Sequence, residues 1–288
     1  MTHTAKFGLV PTQAGARRSM IVSPERPAPP IAAAAGAARG REASSTMSEH
    51  PTVVIACRVL QDLLGSRLAD GIPVTWLDVG LHNTPKKLGA ALQEQLDALA
   101  EPSTVIIGYG LCGNGLVGVK SREHTLIIPR IHDCVAMFLG SHQRYLQRFF
   151  AHPNTYYLTK GWVDAKDEPL TDYLDYVQQF DEETADYLVE MKYRHYRKLC
   201  MVGFSEAELE SCRPAAMKIA EFCKERFGME YEETIGTTEL VEALLQQPAS
   251  RKEDDDAFVV VTSGGEVAMD MFLRPGEAAP PATERKGK

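Results

Sequence analysis

Length, composition and charge describe an ordinary globular chain and exclude several functions. The chain has 288 residues, of which 44% are hydrophobic and 24% are charged, as in typical folded domains. A net charge of −8 argues against binding to nucleic acid or to an anionic membrane. No apolar run approaches the ~18 residues of a membrane span. Six cysteines are too few for a disulfide scaffold, so we expect a cytoplasmic protein with reduced thiols.

The first 46 residues differ from the rest of the chain. They are rich in Pro, Ala, Gly, Ser and Arg and lack hydrophobic periodicity, which predicts disorder. Arg17 and Arg18 resemble part of a twin-arginine export signal, but Ser23 and its neighbours interrupt the apolar segment that should follow. A transit peptide is another interpretation. We prefer a third, in which Met47 is the natural start and the preceding residues come from an over-extended gene prediction.

From Pro51 onward, short apolar runs alternate with helical patterns. Such alternation predicts an α/β fold, Rossmann-like, with a mostly parallel sheet covered by helices on both faces. The strands form either one large doubly wound sheet or two similar lobes. We expect this domain to span residues 51–273, with a disordered tail over 274–288. The predicted strands are 52–57, 74–78, 104–109, 125–130, 155–159, 199–204, 229–233 and 257–262, and the predicted helices are 58–68, 85–99, 132–150, 167–180, 182–198, 206–226 and 236–247.

A glycine-rich loop follows the third predicted strand. Residues 108–113 match the G-x-G-x-x-G pattern of dinucleotide-binding loops, but another strand follows by residue 125 and leaves no room for the helix that this motif needs. The loop is therefore predicted to position Cys112 beside a ligand. The backbone N–H groups of the loop are predicted to bind a cofactor or an anion. The cofactor-binding candidates are Gly110, Gly113, Asn114 and Gly115.

Three cysteines follow the carboxyl ends of predicted strands, where ligands collect in open α/β sheets. Cys57 closes the first strand, Cys112 follows the third, and Cys134 follows the fourth at the start of a helix. The helix N-terminus is expected to lower the pKa of Cys134. Three thiolates suit zinc or an iron–sulfur cluster. His82 or His132 is the candidate for a further ligand.

Several of these residues also allow simpler interpretations. Cysteine is often buried as a small hydrophobic residue, and no CxxC pair strengthens the metal hypothesis. Cys200, Cys212 and Cys223 are predicted to be structural. Trp162 either forms one wall of a pocket or packs in the core. The acidic helices over 167–198 are predicted to be solvated, and otherwise to form a lid or a docking surface.

The segment Arg130–Cys134 combines a cation, an imidazole, a carboxylate and a thiol. Arg130 is predicted to hold a carboxylate or phosphate of the substrate, and His132 to transfer a proton. Asp133 is predicted to cap the following helix and to orient His132. A simpler interpretation is that Asp133 is only a cap and Arg130 only an ion-pair partner.

These motifs resemble family 1638 of the domains of unknown function. The resemblance covers about residues 52–235 and rests on residues 108–115, 81–88, 128–134, 139–141 and 156–162. Some members are associated with corrinoid and methylamine methyl transfer, which implies a methyltransferase or corrinoid protein as partner. No established activity comes with the family.

Three functional hypotheses follow. The leading one is a metalloprotein that binds zinc or an iron–sulfur cluster through Cys57, Cys112 and Cys134, with an open position for a small-molecule substrate of one-carbon or methyl-group metabolism. The second is a metal-free enzyme with Cys112 or Cys134 as nucleophile and His132 as base. The third is a non-enzymatic accessory or cofactor-delivery protein, for which the acidic helices would be the docking face. The sequence does not decide whether the chain is an enzyme.

Overall fold

The computed structural model describes residues 50–250 and 256–274, and the side chains of 249 and 250 are excluded from this description. The expectations for residues 1–46 and for the tail beyond 274 lie outside these residues. Within them, eight strands form two sheets. They are β1 (Thr52–Cys57), β2 (Val74–Leu77), β3 (Thr104–Gly108), β4 (Thr125–Pro129), β5 (Thr155–Thr159), β6 (Lys198–Gly203), β7 (Glu230–Ile235) and β8 (Phe258–Val261).

Helices connect most of these strands. No helix of the described part of the chain is both long and apolar enough to cross a membrane. The α-helices are α1 (Gln61–Gly65), α2 (Pro85–Asp97), α3 (Val135–Leu139), α4 (His142–Ala151), α5 (Lys160–Ala165), α6 (Pro169–Gln179), α7 (Glu182–Tyr193), α8 (Glu206–Phe227) and α9 (Glu239–Ser250). Short 3-10 helices span Arg58–Leu60, Val79–Asn83 and Met269–Phe272.

The first sheet has five strands in the order β2-β1-β3-β4-β8. Strands β1 to β4 are parallel, and β8 joins the edge of β4 antiparallel to it. Val54, Ile106 and Leu126 on three neighbouring strands are fully buried, which explains why these strands appear in the sequence as continuous apolar runs. Since β2 and β3 lie on opposite sides of β1, the strand order reverses between β1 and β3. Ligands bind at the carboxyl edge beside such a reversal.

The second sheet has three parallel strands in the order β5-β6-β7. Helix α8 packs against β6 and β7 and buries Leu209, Ala216 and Cys223. The predicted α/β class with a mostly parallel sheet is therefore confirmed, and the strands divide between two sheets instead of forming one.

The structure changes some predicted boundaries near the cavity described below. The helix predicted over 132–150 is divided into α3 and α4 at Gly140, which has a φ of +86° that favours glycine, and Ser141 caps α4 by accepting a hydrogen bond from the Arg144 N–H. Helix α5 begins at Lys160, directly after the strand predicted over 155–159, and was not predicted from the sequence.

Helix α5 connects the carboxyl ends of the two sheets. It contacts the 3-10 helix Arg58–Leu60 that follows β1. A Cβ atom at Gly161 would lie 2.3 Å from the carbonyl oxygen of Val59, so only glycine permits this approach. The close contact also places the neighbouring Trp162 against Phe138, with 5.5 Å between the ring centroids.

Replacing Gly161 with alanine should therefore force the two backbones apart. We expect Gly161→Ala to lower the free energy of unfolding by about 1–3 kcal/mol, as overpacking does, measured by urea denaturation. Gly65→Ala is the matched control, because no atom lies within 4 Å of its added Cβ, and it should leave stability unchanged or slightly higher. Equal effects of the two substitutions would contradict the close-contact explanation.

Candidate functional site

A cavity of about 280 Å³ with a mixed polar and apolar lining lies at the carboxyl edge of the first sheet, and we call it the thiol cavity. Its walls come from the segments that follow β2, β3 and β4, from β5 and α5 beside the second sheet, and from the turn before β6. The lining residues are His82, Cys112, Gly113, His132, Asp133, Cys134, Val135, Thr155, Tyr156, Tyr157, Trp162 and Tyr196. Several predicted site residues thus meet in one place, and Trp162 forms part of its wall.

Backbone hydrogen bonds hold the glycine loop against the segment that follows β4. The Leu111 N–H donates to the Ile131 carbonyl at 2.9 Å, and the Cys112 N–H donates to the His132 carbonyl at 3.2 Å. A Cβ atom at Gly110 would lie 3.1–3.2 Å from atoms of Ile131 and Asp133, so glycine permits this tight pairing. The loop contains turns and no regular helix, as the dinucleotide motif analysis predicted.

Cys112 adopts a left-handed backbone conformation with a φ of +44°. Such a conformation is uncommon for a residue with a side chain and costs of order 1–3 kcal/mol, and it recurs at functional sites. Asn114, with a φ of +71°, has the same feature two residues later. The loop therefore holds the Cys112 side chain at the cavity wall at some cost in stability.

The three predicted thiols lie within electrostatic reach of one another. Cys112 neighbours the Cys134 thiol, and this neighbour together with burial raises the pKa of Cys134. Burial also raises the pKa of Cys57 to about 11, with further contributions from Cys112 and Asp167. The predicted lowering of the Cys134 pKa is wrong, because these effects outweigh the N-terminus of a helix that is only five residues long.

Cys57 does not line the thiol cavity and is almost fully buried. The hydroxyl of Tyr109 is close to its sulfur, and burial raises the pKa of this tyrosine. Among the described residues, the Tyr109 hydroxyl has no oxygen or nitrogen partner. Cys57 and Tyr109 therefore form a poorly solvated pair that does not line the thiol cavity.

The local geometry determines the proton position on His82. Its Nδ1 lies 2.6 Å from the carbonyl oxygen of Val79, which only accepts hydrogen bonds. Nδ1 must therefore carry a proton, and in the neutral ring the lone pair is on Nε2. That arrangement suits His82 as a metal ligand or a proton acceptor at the cavity. The His132 ring packs near His142, with 5.5 Å between centroids.

Asp133 caps the segment that carries Cys134. Its Oδ1 accepts a hydrogen bond from the Val135 N–H at 2.9 Å, which agrees with the predicted capping role. Burial raises the pKa of Asp133, while Val135, His82 and a hydrogen bond from Tyr145 act in the opposite direction. The Asp133 carboxyl group therefore both accepts the Val135 N–H and lines the thiol cavity.

Asp167 is a residue that sequence reasoning missed. It follows α5, and its Oδ2 lies 3.8 Å from His82 Nδ1. This oxygen is buried and accepts no hydrogen bond from the described residues. The sequence placed Asp167 at the start of an acidic helix predicted to be solvated. No local pattern distinguishes it, because only the position of α5 against the first sheet brings it to the thiols.

Other predicted site residues lie outside the thiol cavity. The Arg130 guanidinium donates to the Phe258 carbonyl at 3.2 Å and pairs with Asp256 at 3.4 Å, so it faces the start of β8. Asn114 and Gly115 line a neighbouring groove beside the start of α2, and Gly113 lines both spaces. Gly110, the fourth cofactor-binding candidate, is buried and lines neither space.

The remaining cysteines are buried around the second sheet. Cys200 lies on β6 with its sulfur 3.3 Å from the Arg148 guanidinium, while Cys212 and Cys223 lie on α8. None of the three lines the thiol cavity. Their positions agree with the predicted structural role.

The side chains near the cavity include soft sulfur donors, an imidazole and two carboxylates, which together suit a thiophilic metal. However, no three His, Cys, Asp or Glu side chains of residues 50–250 and 256–274 are placed to hold one metal ion as they stand. The Cys112–Cys134 contact supplies two donors, so a third must approach for a metal to be bound.

Fold and cavity together define an α/β protein with a thiol cluster at the reversal of its first sheet. The chain belongs to the family described as "Protein of unknown function (DUF1638)", whose model matches residues 76–245. This confirms the resemblance. The match includes His82, Cys112 and Cys134, whereas Cys57 precedes it. Comparisons with curated proteins and with solved structures gave no match.

The raised pKa of Cys57 predicts a loss of stability in alkaline solution. Between pH 9 and about 11 the unfolded chain releases this thiol proton while the folded protein retains it, so the free energy of unfolding falls as pH rises. The difference amounts to roughly 3 kcal/mol. Urea denaturation of metal-free protein across this range should show a smaller pH dependence for Cys57→Ser. Cys212→Ser should keep the wild-type slope, and an unchanged slope in Cys57→Ser would contradict the assignment.

Proposed function

We propose that the thiol cavity binds a thiophilic metal, as zinc or an iron–sulfur cluster, through Cys57, Cys112 and Cys134, and presents it to a small-molecule substrate. The observation that carries the proposal is that the Cys112 and Cys134 thiols are neighbours at the wall of the thiol cavity. Cys57 does not line this cavity but is close enough to raise the pKa of Cys134, and Cys112 raises the pKa of Cys57. These residues come from three different strand ends and are 55 and 22 positions apart.

The electrostatic surroundings of the thiols favour a bound cation. Burial and mutual proximity raise the pKa of Cys57 and Cys134, and the carboxyl groups of Asp133 and Asp167 add to this effect. Thiolates in such a place need a positive charge nearby. A thiophilic cation supplies it, and its binding releases the thiol protons.

The third sulfur ligand requires a movement of side chains. Since no three donors are placed to hold an ion as they stand, we propose that Cys57 turns toward the Cys112–Cys134 pair when the metal binds. His82 Nε2, the nitrogen left with a lone pair, is the candidate for a fourth position. When bound, the metal would polarise a substrate or activate a bound water or thiol.

The cavity wall suits a small polar substrate. Its volume of about 280 Å³ limits the ligand to a small molecule. Burial raises the pKa of Tyr156 and Tyr196, so both phenols remain protonated and are able to donate hydrogen bonds. His132 lines the same space and is the proposed proton-transfer group. Family resemblance favours one-carbon or methyl-group chemistry, with a methyltransferase or corrinoid protein as the proposed partner.

Cobalt(II) titration of the full chain under anaerobic conditions tests metal binding, because thiolate-to-cobalt charge transfer absorbs in the near ultraviolet. We expect a stoichiometric complex in the wild type. Cys57→Ser, Cys112→Ser and Cys134→Ser should each weaken binding by more than the ~10–100-fold cost of losing an outer-shell partner. Cys212→Ser is the matched control and should bind as the wild type does.

Two results would contradict the metal proposal. One is the absence of both cobalt binding and iron–sulfur reconstitution in protein that is folded and fully reduced. The other is binding that persists equally in all three cavity variants, which would place the metal elsewhere in the chain.

A metal-free cysteine nucleophile is the second candidate. It is favoured by the position of Cys112, which is half-buried at the cavity wall and has a strained backbone.

If the metal proposal holds, zinc should strongly slow the alkylation of Cys112 and Cys134 by iodoacetamide, measured by mass spectrometry of the peptides. Fast alkylation of Cys112 that zinc does not affect would favour the nucleophile instead.

A further inference from the structure

A second cavity of about 310 Å³ lies beside α5, on the side away from Trp162. The first turn after β1 supplies one wall, and the ends of β5 and β6 supply the other. Its lining residues are Val59, Asp62, Leu63, Ser66, Arg67, Phe138, Thr159, Lys160, Gly161, Phe204 and Glu208. It shares no lining residue with the thiol cavity, and we call it the β5 cavity.

Thr159 supplies a buried polar group without a partner. It is 3% exposed, and its Oγ1 makes no hydrogen bond with any described residue. Thr159 precedes α5 at the N-cap position, where threonine normally accepts a backbone hydrogen bond, but its side chain makes none there. A buried hydroxyl without a partner is costly, so this oxygen needs a ligand or a solvent molecule.

The charged groups of the β5 cavity are unequally paired. Lys160 is neutralised by hydrogen-bonded ion pairs with Asp62 at 2.8 Å and with Asp164. The Arg67 Nη1 donates to the Leu63 carbonyl and to the Ser66 hydroxyl, both at 2.8 Å. Its only ion pair among the described residues is a long contact of 3.6 Å from Nε to Glu242, a side chain that is about half exposed. Glu208 has no ion-pair partner among the described residues, and one of its oxygens accepts the Phe204 N–H at 2.8 Å. One cation and one carboxylate therefore retain free capacity.

Apolar side chains complete the wall between these charges. Leu63 and Phe138 are buried, and Phe204 stacks on Phe138 with 6.2 Å between ring centroids. A ligand for this space needs an apolar body, a carboxylate for Arg67 and an ammonium group for Glu208. We propose that the β5 cavity is a second small-molecule site that binds a small apolar zwitterion, of the class of the branched-chain α-amino acids.

Isothermal titration calorimetry of the full chain with L-leucine tests this proposal. We expect saturable binding, with much weaker binding of 4-methylpentanoate, which lacks the ammonium group, and of isopentylamine, which lacks the carboxylate. Arg67→Gln and Glu208→Gln should each weaken L-leucine binding at least ~10-fold. Thr159→Val should weaken it roughly 3–10-fold. Thr75→Val, on the distant strand β2, is the matched control and should bind like the wild type.

Several outcomes would overturn the proposal. They are no heat of binding for L-leucine, equal binding of all three probes, or binding that the three cavity variants leave unchanged.

Thr159→Val should also retain or raise the midpoint of urea denaturation, since it removes an unpartnered hydroxyl. A lower midpoint with unchanged L-leucine binding would show that the hydroxyl serves the fold alone. Binding to the β5 cavity is independent of the thiols, so Cys112→Ser should retain it whether or not the metal proposal holds.

Discussion

Two backbone hydrogen bonds, from Leu111 to Ile131 and from Cys112 to His132, hold the candidate site together. They extend the pairing of β3 and β4 beyond the ends of the strands, into segments that would otherwise separate. Cys112 and Cys134 can meet only because these segments stay side by side. Gly110 makes the pairing possible by omitting a side chain where the two backbones approach each other. The thiol contact is thus a consequence of sheet geometry.

The same geometry makes Cys57 and Cys134 poor nucleophiles in the absence of a cation. Cys57 is buried and Cys134 is half-buried. Both are close to other thiols and to carboxyl groups, and their pKa values are raised. An enzyme that uses a free thiolate usually surrounds it with positive charge. Here Asp133 and Asp167 supply the opposite sign, which would stabilise the proposed cation. The negative charge near the thiols and the sulfur donors themselves therefore both favour a thiophilic metal cation.

Sequence patterns predicted the parts of this structure that depend on local chemistry. The sequence predictions located the eight strands of the described residues within a few residues, most of them from continuous apolar runs. Two of the three cysteines predicted at the strand ends, Cys112 and Cys134, line one cavity. Asp167 was missed because its approach to His82 depends on how α5 packs against the turn after β1. Arg130 was assigned to the site because of its neighbours in sequence, whereas its guanidinium faces β8, a strand more than a hundred residues later. The Cys134 pKa was misjudged because neighbouring thiols and burial are tertiary effects.

The central claim is that Cys57, Cys112 and Cys134 bind one metal together. X-ray absorption spectroscopy of the zinc-loaded full chain measures this directly, because sulfur ligands scatter at about 2.3 Å and nitrogen or oxygen ligands at about 2.0–2.2 Å. The proposal predicts three sulfur neighbours in the wild type and two in Cys57→Ser. A zinc ion with one sulfur neighbour or none, or a count that Cys57→Ser leaves at its wild-type value, would contradict it.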